Sequence, residues 1–530
     1  MKKSTYSVLL ILCWTFSLRA QVTFDRLLHA EREPANWLIY SGNYASHRHS
    51  GLSQINRDNV MKLELNWVYQ FRTLQKVEVT PIVVDGIMYA TQPPNDVYAL
   101  DTETGRPFWS YKRLLPEKIN TCCGQVNRGL AILGDRLYMG TVDAHLVALD
   151  ARTGTVLWDV EVADYKAGHS VTVAPLAVKD KIIVGISGGE YGIRGFLDAY
   201  DANSGKRVWR FYTVPGPGEP GNDTWEGDSW KTGGAPTWVT GSFDPQLNLI
   251  YWGTGNPGPD WNGEVRKGDN LYSDCVLALD ADSGELKWFF QFTPHDVHDW
   301  DSTEIPVLID ANFRGRPRKL MLFANRNAFY YVLDRETGEF LLARPFAQQT
   351  WAERIDSKGR PIRKPNTAPS VEGTLVYPGV QGGTNWYSPS YSPVTGLFYL
   401  SVWEYASIYF MGDAPYSPGN RFIGSVPQGV PDDPGWGAVR ALVPETGAMK
   451  WEYRLHTKPQ AGILSTATNL VFGGTNEGHF FALDAETGKE LWHAQTGGVI
   501  VAGPISYLSQ GKQNIAIAAG SAIFSFGLEE

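Results

Sequence analysis

The chain has 530 residues, a formal net charge of −9 and no basic run, a balance that argues against a nucleic-acid partner. Its length alone suggests several domains, but that expectation fails for repeat architectures.

Residues 1–20 begin with Lys2 and Lys3, continue through an apolar stretch from Val8 to Phe16, and end at Ala20. This is the pattern of a secretory signal, too short and wrongly flanked for a membrane span. Cleavage there removes Cys13 and, with Lys2, Lys3 and Arg19, takes the mature chain to −12. No later stretch is long and apolar enough to cross a bilayer, so residues 21–530 are expected to form one exported, periplasmic domain. The segment "LELNWVYQF" (63–71) reads as a strand that joins the last repeat unit and closes the fold.

Next in the chain, Cys122 and Cys123 stand side by side in "NTCCGQVNRG". A disulfide between neighbours closes so small a ring that it removes little freedom from the unfolded chain. In an oxidising compartment the two can pair nonetheless. Cys275 is left without a partner and reads as a small buried apolar residue.

A hairpin then recurs: "YALDTETGRPFWSY" (98–111), "VALDARTGTVLWDV" (147–160), "DAYDANSGKRVWRF" (198–211), "LALDADSGELKWFF" (277–290), "YVLDRETGEFLLAR" (331–344), "RALVPETGAMKWEY" (440–453) and "FALDAETGKELWHA" (481–494). Each copy is an apolar strand, a turn with Thr or Ser before Gly, and a second strand. The glycine supplies positive φ, and the acidic residue opening most copies bonds local amides. Trp109, Trp158, Trp209, Trp288, Trp451 and Trp492 stand at one offset from that glycine, where Leu342 replaces the Trp in the fifth copy. Their period predicts a docking role between units. The gap before Val443 has room for two units, and "YSPVTGLFYLSVW" (391–403) reads as the hairpin of a degenerate one. The prediction is all-β: an eight-bladed β-propeller. The stretches 213–238, 345–390 and 404–436 lack the repeat, and long loops on a rigid scaffold are where sites are built.

On this frame "CCGQVNRGLA", "TVAPLAVKDKIIVGISGGEYGIRGF", "TWEGDSWKTGG", "GTGNPGPDWNG" and "TPHDVHDWD" follow in order. The chain thereby resembles the pyrroloquinoline-quinone (PQQ) dependent alcohol dehydrogenases, the methanol and ethanol dehydrogenase type, over nearly its whole mature length. The resemblance implies a flat quinone between two plates, a vicinal Cys122–Cys123 disulfide and Trp238. It further implies cofactor contacts from Glu78, Arg128, Thr172, Ser187, Gly188, Gly189, Arg326, Asn385 and Trp386. Glu190 and Asn256 match the family's metal ligands, oxygen donors that suit a hard cation such as calcium. Asp299 matches the catalytic Asp that takes the alcohol proton, and Arg326 the base near the quinone oxygens. Asp301 is two residues on, where an extended segment puts side chains on one face. An Asp there resembles the lanthanide-dependent branch, so lanthanide(III) is favoured over calcium at a site of Glu190, Asn256, Asp299 and Asp301. His298 is unlike the residue expected beside the catalytic Asp and is assigned to access or proton release.

The implied reaction is oxidation of a primary alcohol to its aldehyde. No Cys-x-x-Cys-His motif is present, so the expected electron acceptor is a separate soluble c-type cytochrome. The resemblance leaves a homodimer open. A sugar or polyol dehydrogenase and a non-catalytic envelope scaffold are the alternatives.

Overall fold

The computed structural model describes residues 22–529; the signal sequence expected at 1–20 lies outside them. Among the described residues the fold is almost entirely β, its one α-helix the five-residue Phe24–Leu28. Seven four-stranded sheets and one five-stranded sheet follow one another, with two small sheets of two and three strands between them. In chain order the large sheets take in residues 82–111, 131–161, 176–212, 242–291, 307–345, 390–455 and 464–495, and the eighth joins Leu63–Gln70 to the strands of 505–528. The expected closure is present, since Leu63–Gln70 pairs antiparallel with Ala522–Leu528.

The turns form as their residues dictate. Asp150 Oδ1 accepts from the backbone of Arg152 and Thr153 at 3.0 and 2.9 Å and from Thr153 Oγ1 at 3.0 Å. Gly154 then turns at φ +71°. That glycine has a second function, because the Trp of the preceding sheet packs on it. A Cβ at Gly154 would lie 2.5 Å from the ring of Trp109, and Gly105, Gly205, Gly284, Gly338 and Gly488 meet Trp67, Trp158, Trp209, Trp288 and Trp451 in the same way. Trp109 Nε1 also donates to Ala151 O at 3.2 Å, and Trp492 Nε1 donates to Leu63 O at 3.1 Å, carrying the last contact back to the first strand. Where Leu342 replaces the Trp, Tyr330 and Arg344 cover Gly447 instead. The result is a closed ring of sheets, a β-propeller.

One expectation is corrected. The hairpin at 391–403 is not a unit of its own, because Leu397–Glu404 pairs with Trp436–Val443 in a single sheet. The closing sheet, which lacks the Asp-x-x-Thr/Ser-Gly turn, is the one the repeat pattern left out. The pairing depends on a long-range register that local turn chemistry does not encode.

Within each sheet the strands meander, so connections after the second strand and after the fourth emerge on one face. Those connections carry Glu78, the Cys122–Cys123 pair, Arg128, Thr172, Ser187–Glu190, Trp238, Asn256, Asp299, Asp301, Arg326, Asn385 and Trp386. Residues more than 300 positions apart in sequence are thereby gathered on one face of the ring.

Candidate active site

A polar chain runs along one side of the gathering. Arg128 Nη2 lies 2.9 Å from Glu78 Oε2, and its Nη1 donates to Thr172 Oγ1 at 3.0 Å, which shares a 2.8 Å hydrogen bond with Ser187 Oγ. The Arg128 guanidinium lies 4.8 Å from the Trp238 ring centre and 4.6 Å from that of Trp386. Six of the residues expected at the cofactor are therefore one contiguous network, Glu78, Arg128 and Thr172 buried and Ser187, Trp238 and Trp386 half-buried. Gly188 permits the turn that follows it: at φ +123° a Cβ would strike Gly168 O at 2.3 Å. Asn385 is spent locally, its Nδ2 donating to Gln381 O at 3.0 Å and its Oδ1 accepting from Trp386 N at 2.8 Å.

Cys122 and Cys123 carry unbonded thiols in this structure, so the expected bridge is not formed here. Their sulfurs and a carboxylate oxygen of Glu190 all lie within 4.8 Å of one another. Hydrogen bonding to Cys123 and burial push the Cys122 thiol well above its ordinary range, and the Glu190 charge adds to this. The cysteine wall and the first expected metal ligand thus adjoin.

Beyond Glu190 the carboxylates crowd. Asp301 Oδ1 accepts from Asn256 N at 2.7 Å, and its Oδ2 accepts from Arg326 Nη1 at 2.5 Å and Trp238 Nε1 at 3.2 Å. Gly255 makes room for this, since a Cβ there would lie 2.2 Å from Asp301 Oδ1. Asp299 Oδ2 lies 3.8 Å from Arg326 Nη2. Asn256 Nδ2 donates to Asp260 Oδ1 at 2.9 Å, and its amide oxygen faces Gly189, 3.4 Å from where a Cβ there would stand. Burial raises the Asp299 carboxyl well above the carboxylate range; Arg326 opposes this, and Asp301, Asp260 and Glu190 reinforce it. Asp260 is raised for the same reason, burial first and then the Glu190 charge, and its Oδ2 has no hydrogen-bond partner. Burial also opposes the charge of Arg326, but Asp301, Asp299 and Glu304 outweigh it and raise its pKa. One guanidinium faces several buried carboxyl groups, more than it can neutralise, and burial resists ionisation of the surplus.

Asp299 and Asp301 do not meet through extended backbone, as the sequence reading expected. Asp296 caps a tight loop, accepting from His298 N at 3.2 Å and Trp300 N at 2.9 Å, and Asp299 stands at φ +60°. A non-glycine residue in the left-handed region is a strain of the kind kept at functional sites. The 345–390 insertion clamps this loop: Arg363 Nη2 donates to Pro294 O at 2.5 Å, and Trp300 Nε1 to Gly379 O at 3.1 Å. His298 belongs to the same clamp. Its ring stacks on Trp300 with centroids 4.2 Å apart, and its Nε2 meets Thr367 O at 2.7 Å, a packing role in place of the one assigned from sequence.

The residues 412–423 close over the cysteine side. Phe422 N donates to Glu190 O at 2.7 Å, Asn120 Nδ2 to Gly419 O at 2.8 Å, and Trp261 N to Ile423 O at 3.0 Å.

A family model described as the glucose/ethanol/alcohol dehydrogenase β-propeller domain, PQQ, matches residues 37–348 and 434–515. The chain belongs to the PQQ-dependent alcohol dehydrogenase family. The quinohemoprotein alcohol dehydrogenase ADH IIB of Pseudomonas putida is 39% identical over 98% of this chain and 79% of its own. The lanthanide-dependent methanol dehydrogenase of Methylacidiphilum fumariolicum strain SolV is 38% identical over 94% of this chain and 86% of its own. Among solved structures a europium-containing methanol dehydrogenase superposes with a TM-score of 0.90 at 35% identity, covering 95% of this chain and all of that one. The protein is accordingly a quinoprotein oxidoreductase acting on alcohols.

Sequence reading passed over three groups at this quinoprotein site. Asp260 sits four residues after Asn256 within a motif already singled out, and that spacing across a turn was a usable signal. Glu304, buried with both carboxylate oxygens unpartnered, and Tyr405, whose hydroxyl takes the Gln381 N–H, had none.

Proposed function

We propose that the protein oxidises a primary alcohol to its aldehyde in the periplasm, on an eight-bladed propeller whose eight large sheets are the blades. The observation that carries this reading is the excess of buried carboxylates around Asn256 and Arg326. An all-oxygen donor set with surplus negative charge fits a hard, highly charged cation. Glu190, Asn256, Asp299 and Asp301 would hold that ion. Three carboxylates suit a trivalent lanthanide better than calcium, a preference the similarity to a relative named for its lanthanide dependence supports. Trp238 on one side, and Cys122–Cys123 as an oxidised vicinal disulfide on the other, would face the quinone, with Arg128, Thr172, Ser187, Gly188 and Gly189 around it. Glu78 would act through Arg128, and Trp386 would press that guanidinium into place.

When bound, the quinone supplies the hydride acceptor and the ion supplies Lewis acidity. The chain's own residues bind, orient and move the proton. Asp299 accepts the hydroxyl proton of the alcohol at a carboxylate that burial already makes a better base than an exposed Asp. Arg326 spans Asp299 and Asp301 and would steady charge at the quinone oxygens. Electrons would then pass to a c-type cytochrome, a separate soluble one being the proposed acceptor. No helix among the described residues is long and apolar enough to cross a membrane.

The test is ethanol-dependent dye reduction by the mature protein loaded with PQQ, without metal, with Ca²⁺ or with a light lanthanide. Activity that needs the lanthanide is expected. Activity with calcium alone would overturn the metal assignment, and activity only with sugars or polyols would overturn the substrate class.

A further inference from the structure

The seventh hairpin differs from the others in its outer strands. At the position of Glu490 the other copies have Pro107, Val156, Arg207, Leu286, Phe340 and Met449, none of them a carboxylate. The repeat therefore does not call for Glu490; a histidine stands at the position of His479 in one other copy, as His145, but none of the other copies has one at the position of His493. His479 Nε2 lies 3.3 Å from Glu490 Oε2, and His493 Nδ1 lies 2.6 Å from Glu490 Oε1. One ligand-type atom from each residue falls within 4.8 Å of the other two. We propose that His479, Glu490 and His493 form a second metal site, for a borderline-soft divalent ion of the zinc class.

The backbone produces this convergence by a device visible in the register. Glu490 and His493 are three residues apart, and on a regular strand such residues face opposite ways. Here Phe481 pairs with His493 and Ala482 with Trp492, but Leu483 pairs with Glu490, so Leu491 is an inserted residue. The bulge returns Glu490 to the face that carries His479 and His493.

The donor chemistry separates this site from the one around Glu190. Two imidazoles and one carboxylate suit zinc or a neighbouring first-row ion, whereas an all-oxygen set suits calcium or a lanthanide. Four ligands at roughly 2.1 Å from a tetrahedral ion stand about 3.4 Å apart, so the observed separations need only a small adjustment. The side chains of His479 and Glu490 are each 28% exposed and that of His493 is 56% exposed, which leaves an entry path and a fourth position for water. Tyr453, from the outer strand of the preceding sheet, bonds its hydroxyl to Glu490 Oε2 and orients the carboxylate. A bound ion would thus link the two strands of this hairpin and, through Tyr453, the neighbouring sheet.

The experiment is calorimetric titration of Zn²⁺ into the holoenzyme, its quinone and catalytic metal in place, with Co²⁺ as the spectroscopic probe of nitrogen ligation. The wild type is expected to bind one equivalent of Zn²⁺ in the micromolar range or tighter and to develop visible Co²⁺ bands. His493→Ala should weaken binding by about 100-fold or more and lose the bands, while Tyr453→Phe should weaken it by about 10-fold at unchanged stoichiometry. Both variants should keep wild-type dye reduction, which reports an intact fold. Equal Zn²⁺ affinity in wild type and His493→Ala, or no wild-type binding tighter than millimolar, would overturn the site.

Discussion

Asp301→Asn isolates the feature on which the metal assignment turns. The carboxylate accepts from Asn256 N at 2.7 Å, from Arg326 Nη1 at 2.5 Å and from Trp238 Nε1 at 3.2 Å. Asparagine keeps the volume and one acceptor but turns an amide NH₂ toward two donors and removes one unit of charge. Hard cations sit about 2.5 Å from their oxygens. At that range, with an effective dielectric near 20, one carboxylate charge contributes roughly 7 kcal/mol per unit of cation charge. A trivalent ion therefore loses roughly 7 kcal/mol more direct attraction than a divalent one. If differential hydration returns two thirds of this, about 2 kcal/mol remains, roughly a 30-fold effect. The loss of Arg326's partner weakens both ions alike, so the ratio is the informative quantity. The assay is dye reduction by PQQ-loaded enzyme against the concentration of La³⁺ or Ca²⁺. The lanthanide half-activation concentration should rise about 30-fold more than that for calcium. An unchanged ratio would refute Asp301 as a ligand and leave it as a buttress of Asn256 and Arg326.

Asp299→Asn should lower turnover by about 1,000-fold while PQQ affinity changes little, because it removes the proton acceptor and leaves the cofactor wall; retained turnover measured with saturating quinone would contradict the assignment. Arg128→Gln should weaken PQQ binding by about 30-fold, followed by quenching of tryptophan fluorescence, since it removes the charge held between Trp238 and Trp386. Gly154→Ala combines left-handed backbone with a Cβ 2.5 Å from Trp109, and should cost about 3 kcal/mol in urea unfolding. Gly396→Ala, at φ +67° with open space around it, should cost only the backbone share, and equal losses would argue against ring docking on the turn. Burial, aided by the His47 charge, lowers His49 to about 4 from 6.5. Burial with Arg266 and Arg363 does the same for His295. A folded pKa below the unfolded one gives stability that is present above pH 6.5 and lost as pH falls toward 4. Unfolding free energies at pH 7.5 and 5 should therefore differ by less in His49→Gln than in the wild type.

What the chain determined by itself is local. An Asp-x-x-Thr/Ser-Gly turn closes with hydrogen bonds spanning two or three residues, and a Trp four positions after its glycine reports the same strand each time. Hairpins, their number and their docking residue were therefore legible, and so were the motif residues that a family resemblance marks. The tertiary structure decided how hairpins combine. Whether 391–403 stood alone or joined 436–455 depended on a pairing across an insertion, and the closing sheet had no repeat to announce it. The approach of Asp299 to Asp301 was decided by a loop that Asp296 caps and Arg363 clamps, not by the alternation of an extended strand. Asp260 and Glu304 became part of the site only through burial, and Glu490 reached its histidines only through a one-residue bulge. The sheet pairing, the ring closure and the burial of Asp260 and Glu304 rest on contacts between residues far apart in sequence, of which a local pattern carries no record; the Asp296 loop and the bulge at Leu491 are local, but which side chains they bring together shows only once the backbone is folded.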